Sequence, residues 1–170
     1  MMKQGNYNYD KYIGFRYSMT GVFGYVYYTL DKQKICTVSG VVVPSAPILI
    51  RSGNICLKRE FQKGGFGSSG KWFIANENTG ETVATISREN DEEYVINDSI
   101  KVLVSKNGYS FYAGSERIAM IRGNKGYAPF FPEDILPYYD DCYEPYYDVD
   151  VISGSVDPIL KMLIFAFPCE

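Results

Sequence analysis

From Tyr12 onward the chain divides into short apolar or alternating runs, at 12–19, 22–30, 34–43, 47–51, 55–61, 71–76, 82–88, 94–97, 100–105, 109–113 and 117–122. Each run has the length of a strand and is rich in β-branched and aromatic residues, which suit a half-buried pleated surface. The breaks are turn chemistry: Asp31-Lys32-Gln33, Ser52-Gly53-Asn54, Asn78-Thr79-Gly80 and Asn107-Gly108 are each short enough for a hairpin. Consecutive strands should therefore pair antiparallel. No amphipathic helical period of useful length precedes residue 130, so the expected architecture is a meandering sheet that folds into a sandwich or closes into a barrel.

The last stretch breaks this pattern. From Ile159 to Phe167 every residue except Lys161 is apolar, and the run opens with Asp157-Pro158, an N-cap acceptor followed by a residue suited to the first helical position. A buried central strand is the rival reading, because periodicity does not separate the two in a short run; the Asp-Pro start favours a helix over 158–167. Such a helix is apolar all round and must be enclosed, yet at ~1.5 Å per residue it is about 15 Å long and too short to cross a bilayer. The strands must wrap it. Lys161, one turn from the start, is expected to extend to the end of the barrel.

A weak internal repeat runs through the strands: Ile35-Cys36-Thr37-Val38, Val83-Ala84-Thr85-Ile86 and Ile118-Ala119-Met120-Ile121, with Ile55-Cys56 keeping the first half. The expectation is that the two branched residues share one face, that the small residue takes the other, and that the small residue marks where strands crowd something enclosed. Residues 1–11 read as a flexible arm ahead of a single domain over 12–170. Between Glu133 and Asp150 the chain holds seven acids, five Tyr and no base. This reads as a long connection, and 148–152 as a possible final strand. Long connections in compact domains are usually functional, which marks it as a candidate protein-docking segment.

Composition narrows the function. The 170 residues carry a formal charge of -3, which gives no general attraction to nucleic acid. There is no His, which removes the commonest general base, the Ser-His and Cys-His pairs and His-containing zinc sites. Cys36, Cys56, Cys142 and Cys169 lack CxxC spacing, so no metal cluster is expected, and no cofactor is implied. The N-terminus lacks the apolar core of a secretory signal, and no apolar run approaches 18 residues, which together suggest a reducing, cytoplasmic location.

Gly65-Phe66-Gly67-Ser68-Ser69-Gly70-Lys71 satisfies GxGxxG and nearly satisfies a P-loop, but Trp72 stands where Mg²⁺ binding needs Ser or Thr, and a strand follows where a helix is required. A kinase-type glycine hairpin suits the strands, yet Ile86 occupies the place of the phosphate-binding lysine and no catalytic loop follows. The segment reads as a hairpin tip. Lys58, Arg59, Lys63 and Lys71 flank it and form the candidate basic patch for a lipid phosphate or another anionic ligand. Asp148-x-Asp150-x-x-Ser153 hints at a calcium loop, but Ile152 and Ile159 fall where ligands are needed, which leaves a solvated charge run.

The strand-turn-strand units ending in Gly/Glu-x-Val/Ile-Ala-x-Ile, followed by Val156-Asp157-Pro158 and the apolar run, resemble the tubby C-terminal-like superfamily, which includes LURP-one-related proteins and phospholipid scramblases. The resemblance implies an all-β fold of about twelve antiparallel strands closed into a barrel and threaded by the C-terminal helix. It also implies lipid-related roles in some members. The Cys-rich and Pro-rich segments of scramblases are absent, and the basic phosphoinositide ligands of tubby proteins have no matching positions. The expected function is non-enzymatic binding of a phospholipid headgroup or other anionic ligand; the alternatives are protein docking through 133–150 and an enzyme using carboxylates alone.

Overall fold

The computed structural model describes residues 8–19, 21–41, 46–62, 70–124, 128–130, 146–154 and 156–167. These form twelve strands and one helix: β1 (Tyr9–Met19), β2 (Val22–Thr29), β3 (Lys34–Val41), β4 (Ile48–Ser52), β5 (Ile55–Gln62), β6 (Lys71–Asn76), β7 (Thr82–Asn90), β8 (Glu93–Ile96), β9 (Ile100–Ser105), β10 (Gly108–Ala113), β11 (Glu116–Asn124), β12 (Tyr146–Ile152) and α1 (Pro158–Ala166). Each strand pairs antiparallel with its neighbour in sequence, and β12 pairs with β1, so the sheet closes into a barrel. Closure leaves no edge strand among the described residues to pair with another chain.

Closure also shifts one boundary. β1 begins at Tyr9, inside the expected arm, because Tyr9, Asp10 and Lys11 pair with Ile152, Val151 and Asp150. The segment is polar, but the ladder needs only its backbone groups. Its exposed side chains add bonds to the end of the chain: Ser153 Oγ donates to Asp10 at 2.9 Å, and Lys11 Nζ lies 3.4 Å from Asp150.

Up-and-down topology sends successive turns to alternate rims. Rim A carries the β1–β2, β3–β4, β5–β6, β7–β8 and β9–β10 connections and the end of β11; rim B carries the β2–β3, β4–β5, β6–β7, β8–β9 and β10–β11 hairpins and the approach to α1. The helix starts at rim B, where Asp157 Oδ1 accepts from Leu160 N at 2.8 Å as the sequence anticipates. Residues Met162 to Phe167 are at most 2% exposed and belong to one core with residues from β1 to β12. The last turn meets rings from separate parts of the sheet: Tyr12 and Tyr27 touch Phe165, and Tyr94, Tyr109 and Phe111 touch Phe167, with centroids 4.5–5.7 Å apart. A helix reached from β1, β2, β8 and β10 at once is enclosed by the sheet over that turn.

The sequence repeat has a structural counterpart. The β2–β3, β6–β7 and β10–β11 ladders each shift register by one residue, leaving Ile35, Val83 and Ile118 unpaired. These β-bulges recur every fourth strand, always on the rim B side. The expected division of faces is corrected: Cys36, Ala84 and Ala119 are buried together with Val38, Ile86 and Ile121, because residues two apart along a strand share a face. Across each hairpin the small residue faces a large buried one, Tyr27, Ile74 or Phe111. Two of these, Tyr27 and Phe111, contact the helix, so the small residues do mark where the strands crowd it.

A second apolar cluster lies on the outer face of β1 and β2, where Ile13, Phe15, Val26 and Tyr28 are buried. Ala128 and Phe130, from the β11–β12 connection, and Tyr146 pack over it. The Phe130 ring lies 5.4 Å from Phe15 and 5.7 Å from Tyr28. Both described flanks of the acidic, Tyr-rich connection are therefore anchored on the same outer surface.

Burying Met162, Leu163, Ile164, Phe165 and Phe167 contributes roughly 10 kcal/mol at about 2 kcal/mol per side chain, comparable to the whole stability of an average domain. A chain ending at Val156 is expected to lack a cooperative thermal transition, and a folded truncation would refute this architecture. The milder change Tyr27→Phe deletes the 2.6 Å bond from the Tyr27 hydroxyl to the Phe165 carbonyl. It should lower stability by about 1–3 kcal/mol in urea denaturation, the usual cost of orphaning a buried acceptor.

Candidate functional site

The expected basic patch begins on β5, where side chains alternate between the two faces of the sheet. Lys58 points outward and Arg59 points inward, so two neighbours in sequence are separated by the sheet. Lys58 Nζ lies 2.8 Å from Glu60 Oε1. That hydrogen bond, and then the charge of Glu60, hold the amine above the ordinary lysine pKa. A raised amine pKa stabilises the fold below the unfolded value and loses that effect only as alkaline pH removes the proton, so the pair is intact at neutrality. Lys71 is exposed on the same outer face, but the Gln62–Lys71 pair is four positions along the ladder from the Lys58–Ala75 pair, about 13 Å away at ~3.3 Å per residue. Lys63 and most of the glycine segment lie outside the described residues. Lys58, Arg59 and Lys71 are thus not brought together, and the expectation of one patch built on them is corrected.

Arg59 has a different partner. It is 4% exposed, and its Nη1 donates to the Ala166 carbonyl at 3.2 Å. The last carbonyls of a helix have no partners within it, and its C-terminal end carries partial negative charge. Arg59 supplies a donor and a positive charge there, Tyr27 supplies the donor for Phe165, and the Phe167 N–H bonds Ile164. The helix is capped by the barrel wall. Strand parity was the available signal, since Arg59 shares its face with Leu57. Toward rim A a line of rings runs from exposed Phe61 inward: Phe61, Trp72, Tyr94 and Phe167 follow one another at 4.9, 5.9 and 5.7 Å.

Lys161 Nζ donates to the Tyr12 hydroxyl at 3.3 Å and lies 5.6 Å from the centre of that ring, so a buried partner holds the amine against the wall. Asp148 and Asp150 stand on β12, where Asp148 accepts from Asn124 and Asp150 faces Lys11. A strand holds these two carboxylates extended where a calcium loop would curl them around an ion. The rest of the acidic connection, 133–145, lies outside the described residues.

At rim B the helix start does not fill the barrel mouth. A cleft of about 600 Å³ lies between α1 and the ends of β5, β7 and β9. Ile55, Val83 and Ile100 form its sheet wall, Ile159, Leu160 and Leu163 its helix wall, and Asn97, Ser99 and Asp157 its polar part. Val83 is one of the bulged residues, so the repeat that makes room for the helix also shapes the cleft. Asn97 and Asp98 hold φ of 53° and 58°, the consecutive left-handed pair of a type I′ turn, and Thr85 N donates to Asn97 Oδ1 at 3.0 Å. The amide nitrogen of Asn97 and the Ser99 hydroxyl remain as exposed polar groups. The volume lies within the ~300–1,000 Å³ range of small-molecule sites.

No family model matches the chain, and searches of curated proteins and of solved structures each return no match.

The two neighbours on β5 should separate cleanly on mutation. Arg59→Ala is expected to lower stability by about 1.5–3 kcal/mol in urea denaturation, as for a buried charged hydrogen bond, whereas Lys58→Ala should leave the midpoint unchanged. Equal effects would contradict their placement on opposite faces.

Proposed function

We propose that this protein is a non-enzymatic binding protein whose ligand enters the rim B cleft. The carrying observation is the cleft itself, six half-exposed or buried aliphatic side chains around about 600 Å³ with polar groups beside them, at the mouth of a barrel whose interior is occupied by its own helix. A filled barrel leaves its rims and outer surface for recognition. The absence of His from the whole sequence supports binding over acid–base or nucleophilic chemistry.

Kinship with the tubby C-terminal-like superfamily is part of this proposal, supported by the twelve-stranded closed barrel and the terminal helix begun by Asp157-Pro158. A shared fold does not carry a ligand with it. The phospholipid-headgroup version loses support, because Lys58 is paired with Glu60 and Arg59 serves the helix. A reducing, cytoplasmic setting is proposed with it, in keeping with the free thiols of Cys36 and Cys56.

The neutral naphthalene dye prodan tests the cleft. Its emission should rise and shift to the blue with the wild-type protein, and Ser99→Trp, an exposed position beside the cleft, should abolish the change without lowering the thermal midpoint. An unaltered response in a folded Ser99→Trp protein would overturn the assignment. Flotation with phosphatidylserine vesicles at low salt addresses the headgroup reading, and retention of the protein on them would favour that reading over the cleft.

A further inference from the structure

We propose that the cleft selects a small amphiphilic cation, a primary alkylammonium, over neutral or anionic molecules of the same length; this rests on the reading of the cleft as the binding site. Of the residues lining it, Asp157 alone ionises at neutral pH, and no Lys or Arg is among them. Asp157 is exposed, and its Oδ1 is committed to Leu160 N, which leaves Oδ2 to meet a donor. Helix N-termini ordinarily favour anions, but the end of the dipole amounts to only about half a positive charge, and a full carboxylate charge outweighs it. The first turn therefore presents net negative charge to the cleft.

The neighbouring charges agree. Lys161, one turn along the helix, is the base best placed to neutralise Asp157, and its amine is instead on the Tyr12 hydroxyl. Asp98, in the β8–β9 turn between the lining residues Asn97 and Ser99, adds a second negative charge at the rim. The remaining groups divide the ligand in two. An ammonium would donate to Asp157 and to the Ser99 hydroxyl, while an alkyl chain would lie between the Ile55–Val83–Ile100 wall and the Ile159–Leu160–Leu163 wall. An anionic head there would meet Asp157 with no cation to offset it. That reverses the anionic preference suggested by the basic residues around β5 and β6.

Asp157→Asn separates the two roles of this side chain, because Asn caps a helix about as well as Asp and removes only the charge. Backbone amide NMR titrations at pH 7 with hexylamine, 1-hexanol and hexanoate read the preference directly. With the wild-type protein, hexylammonium should shift the amides of Val83, Asn97, Ser99 and Ile100 and bind about three- to five-fold more tightly than hexanol, the upper range of an exposed charge pair. In Asp157→Asn that margin should disappear while the spectrum stays folded. Equal binding of hexylamine and hexanol to the wild type, or an undiminished margin in Asp157→Asn, would overturn the cationic selectivity and leave the cleft standing. Binding of none of the three would overturn both readings.

Discussion

The carbonyl end of α1 lies in the dry interior of the barrel, where each free acceptor must find a donor. Phe165 and Ala166 offer such carbonyls, and the wall answers with the Tyr27 hydroxyl and the Arg59 guanidinium. Neither partner is self-sufficient. A nine-residue helix is too short to persist alone in water, and the sheet without it would surround a void. The two therefore form together, and the directional bonds at the helix end fix how far it enters. The polarity is consistent along the helix: Asp157 at the positive end and Arg59 at the negative end each oppose the local dipole.

This dependence extends to the order of events in folding. The sheet closes only when β1 meets β12, from opposite ends of the chain, and the helix that fills it is later still in sequence. Such non-local contacts must wait for long loops to close, so slow folding is expected of this topology. The bulges ease the geometric side of the problem. Each adds one residue to one strand of a hairpin and bends it, and each is followed by Cys36, Ala84 or Ala119 opposite a large side chain. Recurrence in β3, β7 and β11 spaces these three bends evenly around twelve strands, and β7 shifts register once more against β8.

Most of the fold was legible in the sequence because its information is local. Alternation and turn chemistry identify hairpins without reference to the rest of the chain, and Asp157-Pro158 marks the helix start. What was not legible depends on distant partners. Tyr9 to Lys11 look like a loose arm until β12 gives their backbone somewhere to bond. Lys58 and Arg59 look like one patch until strand parity is applied, and parity was there to be read from Leu57. The repeat was visible, and period two already places its small residue and its second branched residue on one face; only the bulge at its first residue needs the opposite strand to be seen. The cleft combines β5, β7, the β8–β9 turn and α1, so no local pattern announces it.

A barrel that spends its interior on its own helix has two rims at which to meet other molecules, and they differ in chemistry. Toward rim A the rings of Phe61, Trp72 and Tyr94 lead inward to Phe167, and the buried cation there is already bonded to the helix. At rim B the helix starts beside a recess with aliphatic walls, and the charge there belongs to an exposed carboxylate with one oxygen in use. Arg59 cannot leave Ala166 without orphaning a buried carbonyl, whereas Asp157 can accept from a ligand and keep its bond to Leu160. Structural duty therefore buries the charged group at one end of the helix and leaves the group at the other open to solvent.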